Sequence, residues 1–154
     1  MGVLDQPASR RAPLPGAEDA ALSTGKMAVR GRLVATTDDG GMWVFGYGSL
    51  MWRPGFEHVE EVPARLTGLH RSLCVLSHVH RGTPEAPGLV FGLDRGGACR
   101  GLAFLVPAAA REATIAYLRA REQPTMVYRE VVRKVALLDG SHRTVHATCY
   151  VVDR

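Results

Sequence analysis

The sequence predicts an α+β fold, a small mixed, mostly antiparallel β-barrel with one main helix. Three observations carry this. From Met42 onward, β-forming runs alternate with short breaks rich in Gly, Pro, Asp and Ser. One segment, Pro107 to about Gln123, is filled with Ala, Leu, Arg and Glu and reads as helix. After it, two long β-forming runs are joined by Asp139-Gly140-Ser141-His142, and Asp-Gly between such runs is a hairpin signal. Strands in succession with a single helix suit α+β better than alternating β-α units.

Residues 1–41 are rich in Ala, Pro, Gly, Ser and Thr and end in Asp38-Asp39-Gly40-Gly41. They read as a flexible or loosely packed arm, with 31–36 as a candidate short strand. Met42 to Gly46 reads as a buried strand, and Met51 to Phe56 as a loop with a Pro-Gly turn. Residues 61–77 are extended, with Gly68 as an interruption. Arg81 to Gly88 holds four turn formers, Gly82, Pro84, Pro87 and Gly88, in a row of eight and reads as a loop. Leu89–Leu93 and Gly101–Val106 read as two strands, with Asp94-Arg95-Gly96-Gly97 as the hairpin turn between them. Pro107 suits the first turn of the helix, and Pro124 ends it. Met126–Leu138 and Arg143–Val152 are the last two strands.

The chain of 154 residues suits one domain with a real core. No apolar run approaches the roughly 18–20 residues a membrane helix needs, and Met1 to Pro7 lacks the basic and apolar regions of a secretory signal. Three cysteines, Cys74, Cys99 and Cys149, are odd in number and widely spaced, which favours reduced thiols in a cytoplasm over a disulfide framework or a zinc knuckle. The net charge of +4 comes almost wholly from scattered arginines, and aromatics are only 6 %, so a basic stripe with stacking residues for nucleic acid is missing. A small anionic ligand fits the charge better.

Two features could carry chemistry. At 100° per residue, Ala108, Ile115, Leu118 and Glu122 share one face of the helix, and Ile115 and Leu118 make it the buried one. Glu122 therefore points inward from the last turn, where burial and the helix dipole both disfavour its charge. A carboxyl of raised pKa suits a general base or acid near neutrality. The alternative is a helix-end glutamate paired with Arg119, Arg121 or Arg129. The second feature is Val44-Phe45-Gly46-Tyr47-Gly48-Ser49-Leu50, a strand running into a glycine-bracketed loop whose backbone N–H groups are little shielded. Ser49 is not in a Gly-x-Ser-x-Gly elbow, because Met51 stands two residues after it. His78 and His80 would share a strand face and are compatible with a metal pair, but no third ligand is apparent, and a loop-stabilising role for His80 is the better reading. Tyr128 suits either a ligand contact or a core tyrosine with its hydroxyl at the barrel rim.

In combination and in order, four stretches resemble the ChaC-type γ-glutamylcyclotransferase family: Val44 to Trp52; His80 to Glu85 with Pro87-Gly88; Leu93 to Gly97; and Tyr117 to Glu122 followed by Val127-Tyr128. The likeness runs from Trp43 to Arg154. It implies a small irregular mixed barrel with a cavity at one end, and cleavage of glutathione to 5-oxoproline and cysteinylglycine with no cofactor and no metal. By the same resemblance Glu122 matches the catalytic glutamate. Val44, Phe45, Gly46, Tyr47, Gly48 and Ser49, with Leu50 adjoining, match the substrate-binding stretch, and Tyr128 is a further contact. The partner implied is the small molecule glutathione, with neither nucleic acid nor membrane. Two departures stand out: Gln123 replaces an apolar residue after Glu122, and the chain ends at Arg154, where related bacterial proteins continue into a helical tail. The alternative expectation is a truncated, inactive relative that binds γ-glutamyl ligands or a partner protein.

Overall fold

A computed structural model of the chain describes residues 26–29, 32–78, 81–122 and 127–153. Strands β1 (Lys26–Val29) and β2 (Arg32–Ala35) pair antiparallel with each other, and β2 falls within the candidate strand at 31–36. Residues 1–25 of the arm lie outside the described residues, as do His80 and Gln123.

Five strands close a barrel in the order β3-β5-β4-β6-β7: β3 (Met42–Gly46), β4 (Glu60–Ser77), β5 (Gly88–Val106), β6 (Tyr128–Leu137) and β7 (Thr144–Val152). Every neighbouring pair is antiparallel except β3 and β7, which close the barrel in parallel with Trp43 opposite Ala147 and Val44 opposite Thr148. β3 is buried throughout because both of its faces are covered. Trp43 and Phe45, with Tyr47 beyond the strand, pack into the barrel interior with Leu66, Leu93 and Val151. Met42 and Val44 pack on the other side against Ile115 and Leu118.

Those two residues belong to α1 (Arg111–Glu122), which follows a single 3-10 turn at Ala108–Ala110. Pro107 precedes that turn in an extended conformation. Thr114, Ile115 and Leu118 are the buried residues of α1. Ala108, expected on the same face, is exposed. The tighter turn puts it out of phase, so counting 100° per residue does not reach back that far.

The expected hairpin at Asp94–Gly97 is not a turn. β5 runs unbroken from Gly88 to Val106 and pairs with β4 along nearly all of its length. Thr67 lies opposite Ala98 and Leu69 opposite Arg95, so Gly68 alone faces both Gly96 and Gly97. This is a β-bulge, and all three glycines take positive φ (+91°, +93° and +68°). Across the bulge the buried positions of β4 change from Val62, Ala64 and Leu66 to Leu69, and a second register shift follows between Leu73 and the buried Val75. The true β4–β5 connection lies between Ser77 and Gly88, and its residues 81–87 fall in the segment read as a loop, whose last residue, Gly88, begins β5.

The bulge separates two parts of the β4–β5 ribbon. On one side it is barrel wall, where β3 pairs with Leu102–Val106 and β6 with Ala64–Leu66. On the other it projects as a two-stranded arm. Tyr128 ties the arm down by donating its hydroxyl to the Phe91 carbonyl at 2.9 Å, and Val152 packs against Gly92, where an added Cβ would lie 2.3 Å from Val152 Cγ2.

Candidate active site

A cavity of about 700 Å³ opens between this arm, the end of α1 and the loop after β3. Phe45, Tyr47 and Tyr150 line its barrel side, and Gly48, Ser49, Leu50 and Trp52 come from the loop. Arg121 and Glu122 come from the helix end, Tyr128 from the start of β6, and Leu73, Leu76, Leu89 and Phe91 from the arm. The volume lies within the range of small-molecule sites.

Glu122 is the last residue of α1, and its side chain is 17 % exposed. Burial raises its pKa above the usual carboxylate value, and the neighbouring Arg121 guanidinium offsets this in part. The inward placement and the arginine pairing are thus both present. The carboxylate lines the cavity and also pairs with Arg121, whose Nε lies 3.3 Å from Oε1. The other two arginines go elsewhere: Arg119 to Glu130, and Arg129 to Asp153 at 3.9 Å.

The loop after β3 folds into a 3-10 turn at Ser49–Met51, closed by the Met51 amide donating to the Gly48 carbonyl at 2.9 Å. The amides of Gly48, Ser49 and Leu50 stand ahead of that first hydrogen bond, where a helical turn has no partner for its donors. An added Cβ at Gly48 would meet no atom within 4 Å. Arg121 braces this loop: Nη2 donates to Ser49 Oγ at 2.6 Å, and Nη1 donates to the Arg53 carbonyl and to the Tyr117 hydroxyl, each at 2.8 Å. Ser49 therefore has a guanidinium at its oxygen, an arrangement that withdraws electron density from a would-be nucleophile.

Of the residues assigned from the sequence, Glu122, Phe45, Tyr47, Gly48, Ser49, Leu50 and Tyr128 line the one cavity. The side chains at 44 and 46 do not. Val44 is fully buried against α1, and a Cβ added at Gly46 would meet Leu50 Cβ at 3.0 Å and Phe104 Cε2 at 3.1 Å. Strand alternation sends these two positions away from the face that carries Phe45 and Tyr47.

Three tyrosines surround the carboxylate, and all stay protonated. Tyr47 donates to the Tyr150 carbonyl at 2.9 Å, and burial, reinforced by Tyr128 and Glu122, pushes its phenol above the ordinary value. Burial, then the charge of Glu122, pushes Tyr128 up to about 12. Tyr150 donates to Glu130 Oε2 at 3.0 Å, and burial, then Glu130, raises it as well. Glu130 in turn accepts both arms of Arg119, at 3.0 and 2.8 Å.

Sequence reading offered Arg121 only as a partner of Glu122 and missed its hold on the loop after β3, together with Tyr150 and the arm. Arg121 had one local signal, its spacing of four from Tyr117 on the helix. Apart from the pair with the adjacent Glu122, its other contacts are to residues 68 and 72 positions away.

Comparison with known proteins places this geometry. The model of the family described as ChaC-like protein matches residues 42–154. The glutathione-specific gamma-glutamylcyclotransferase of Escherichia coli K12 is 37 % identical over 121 residues, covering 79 % of this chain and 52 % of that protein. The enzyme of the same name from Schizosaccharomyces pombe is 36 % identical over 101 residues, covering 54 % of this chain and 49 % of that protein. The chain thus spans about half the length of these curated relatives. A crystal structure of the glutathione-specific yeast enzyme matches the fold with a TM-score of 0.67 at 22 % identity, covering 73 % of this chain and 69 % of that one.

Proposed function

Because the chain belongs to the ChaC-like protein family, we propose that it is a γ-glutamylcyclotransferase, a lyase that cleaves glutathione to 5-oxoproline and cysteinylglycine. The observation that carries this reading is Glu122: a partly buried carboxyl of raised pKa in the same cavity as the Tyr47–Leu50 loop.

The substrate's α-amine attacks its own γ-carbonyl carbon. The new C–N bond closes the five-membered lactam, and the bond from that carbon to the cysteine nitrogen breaks. Glu122 takes the proton that the attacking amine loses and delivers it to the departing cysteine nitrogen. One group serves in both steps because its pKa is moved toward neutrality. Attack is intramolecular, so binding need only hold the folded-back rotamer.

Tyr47 and Tyr128 have their protons committed to backbone carbonyls. Toward the substrate they offer lone pairs, which suits the N–H groups of the γ-glutamyl α-amine. The amides of Gly48, Ser49 and Leu50 then supply the donors for the α-carboxylate or the developing oxyanion. Val44 and Gly46 act through the backbone path that aims this loop. Three unpaired thiols suit a reducing cytoplasm, and the chemistry calls for no cofactor.

The test is incubation of the purified chain with glutathione while 5-oxoproline and cysteinylglycine are followed. Stoichiometric release of both by wild type, with Glu122→Gln silent, supports the assignment. Folded wild-type protein that binds glutathione without turnover would instead make this a binding relative.

A further inference from the structure

The Arg81 loop contributes a charged group to the cavity beyond Glu122 and Arg121, one that the cyclisation chemistry leaves unused. Arg81 lines the cavity and is exposed to solvent. Among the described residues it takes part in no ion pair. Arg121, the other arginine of the lining, is occupied by Ser49, Tyr117, Arg53 and Glu122.

The loop that carries Arg81 is built tightly. Its amide donates to Ser77 Oγ at 3.2 Å. Thr83 closes the tip, its amide donating to the Ala86 carbonyl at 3.0 Å and its hydroxyl accepting from the Ala86 amide at 3.1 Å. A Cβ on Gly88 would sit 1.6 Å from the Arg81 carbonyl oxygen, and one on Gly82 would sit 2.2 Å from the Gly88 amide nitrogen. Both glycines are needed for the strand ends to close this tightly around Arg81.

Position then narrows the role. Arg81 packs on Gly88, and Gly88 lies three residues along β5 from Phe91, whose carbonyl holds Tyr128 near Glu122. Three residues of strand span about 10 Å. A dipeptide leaving group extends up to about 7 Å from the scissile bond to its terminal carboxylate, and an arginine side chain covers the remainder. A guanidinium fork pairs with a carboxylate through two parallel hydrogen bonds.

We propose that Arg81 binds the C-terminal carboxylate of the leaving dipeptide and so selects γ-glutamyl peptides over γ-glutamyl amines and amides. This rests on the cyclotransferase reading above. Glu122 performs the chemistry at one end of the cavity, and Arg81 measures the substrate at the other.

The test compares glutathione with its glycine ethyl ester, on wild type and on Arg81→Gln and Arg81→Lys. Loss of a charge-assisted pair predicts a KM for glutathione raised about 10- to 100-fold in Arg81→Gln, with kcat within about threefold. Wild type should show a similar penalty on the ester, and Arg81→Gln should add nothing further to it. Arg81→Lys should recover part of the loss. An unchanged KM in Arg81→Gln, or equal losses on both substrates, overturns the proposal. The wild-type comparison of the two substrates needs no variant to fold. If wild type turns over neither substrate, the cyclotransferase reading fails on its own. Calorimetric binding of glutathione and its ester then decides Arg81 separately, and equal affinities for the two would sink it.

Discussion

Arg121 joins the two halves of the site: its Nη2 donates to Ser49 Oγ at 2.6 Å while its Nε stands 3.3 Å from Glu122 Oε1. The proton-transfer group and the substrate loop are thus held by one guanidinium. Ser49→Ala removes a single charge-assisted hydrogen bond at an exposed residue, so kcat/KM should fall by about tenfold or less. A nucleophilic serine would cost on the order of 10⁴-fold or more. A loss of that size, with the fold intact by circular dichroism, would return Ser49 to chemistry.

Arg121 also sets the acidity of Glu122. Its guanidinium lowers the Glu122 pKa against burial. Arg121→Met should therefore shift the acid limb of the kcat/KM profile to higher pH, because the base must be ionised to work. An acid limb that stays in place, or moves to lower pH, would show that the limb belongs to another group.

Glu122→Gln should lower kcat by at least about 10²-fold, and it should also change how stability depends on pH. Burial raises the folded-state pKa, so the folded protein keeps this proton to higher pH than the unfolded chain does. The cost of ionising Glu122 is absent in acid. It grows as pH rises from about 4.3, the unfolded value, through the folded one. Melting temperatures measured across that window should show the variant gaining on wild type with rising pH, then levelling off. Parallel curves would mean that Glu122 is solvated in the folded protein.

Much of this site follows from local signals. The buried strand ending at Gly46, the inward phase of Ile115, Leu118 and Glu122, and the Asp139-Gly140 connection each depend on residues within a few positions of one another. The Asp94–Gly97 segment shows where such reading stops. Asp-Arg-Gly-Gly has the composition of a turn, and only the strand across from it makes it a bulge, because Gly68 stands alone opposite Gly96 and Gly97. Barrel closure is equally non-local: it pairs Trp43 with Ala147 in parallel, a contact that no adjacent connection imposes. Arg121 read as one helix charge among several because the loop it braces lies far away in sequence.

Beneath the cavity, Arg119, Glu130 and Tyr150 form a support whose loss should register in stability. The Glu130 side chain is 2 % exposed and Arg119 24 %. Removing the carboxylate strands a partly buried guanidinium, a change that costs about 3–5 kcal/mol in buried pairs. Residual water at Arg119 puts Glu130→Ala near the low end, about 3 kcal/mol, or about 6–12 °C in melting temperature for a chain of this size. Replacing both partners with methionine should cost much less, since neither charge is then left alone. A Glu130→Ala variant that melts with wild type would show that the pair contributes no net stability.

The last relationship is a close approach rather than a bond. A Cβ on Gly101 would lie 2.2 Å from the Gly46 carbonyl oxygen and 2.9 Å from Phe45 Cζ. Both neighbours belong to the strand end that launches the substrate loop, and Gly46 pairs across the ladder with Leu102, next to Gly101. Backbone cannot yield as a flexible side chain can, so Gly101→Ala must push β3 away from β5. The cost falls in the overpacking range, about 1–3 kcal/mol or more. Movement of the strand end also tilts the Gly48, Ser49 and Leu50 amides, and a displacement of about 1 Å at a positioned group costs about 10²-fold in rate. Activity measured well below the melting transition should therefore fall more than the folded fraction does. A variant that loses stability yet keeps wild-type kcat/KM while folded would separate the strand end from the cradle.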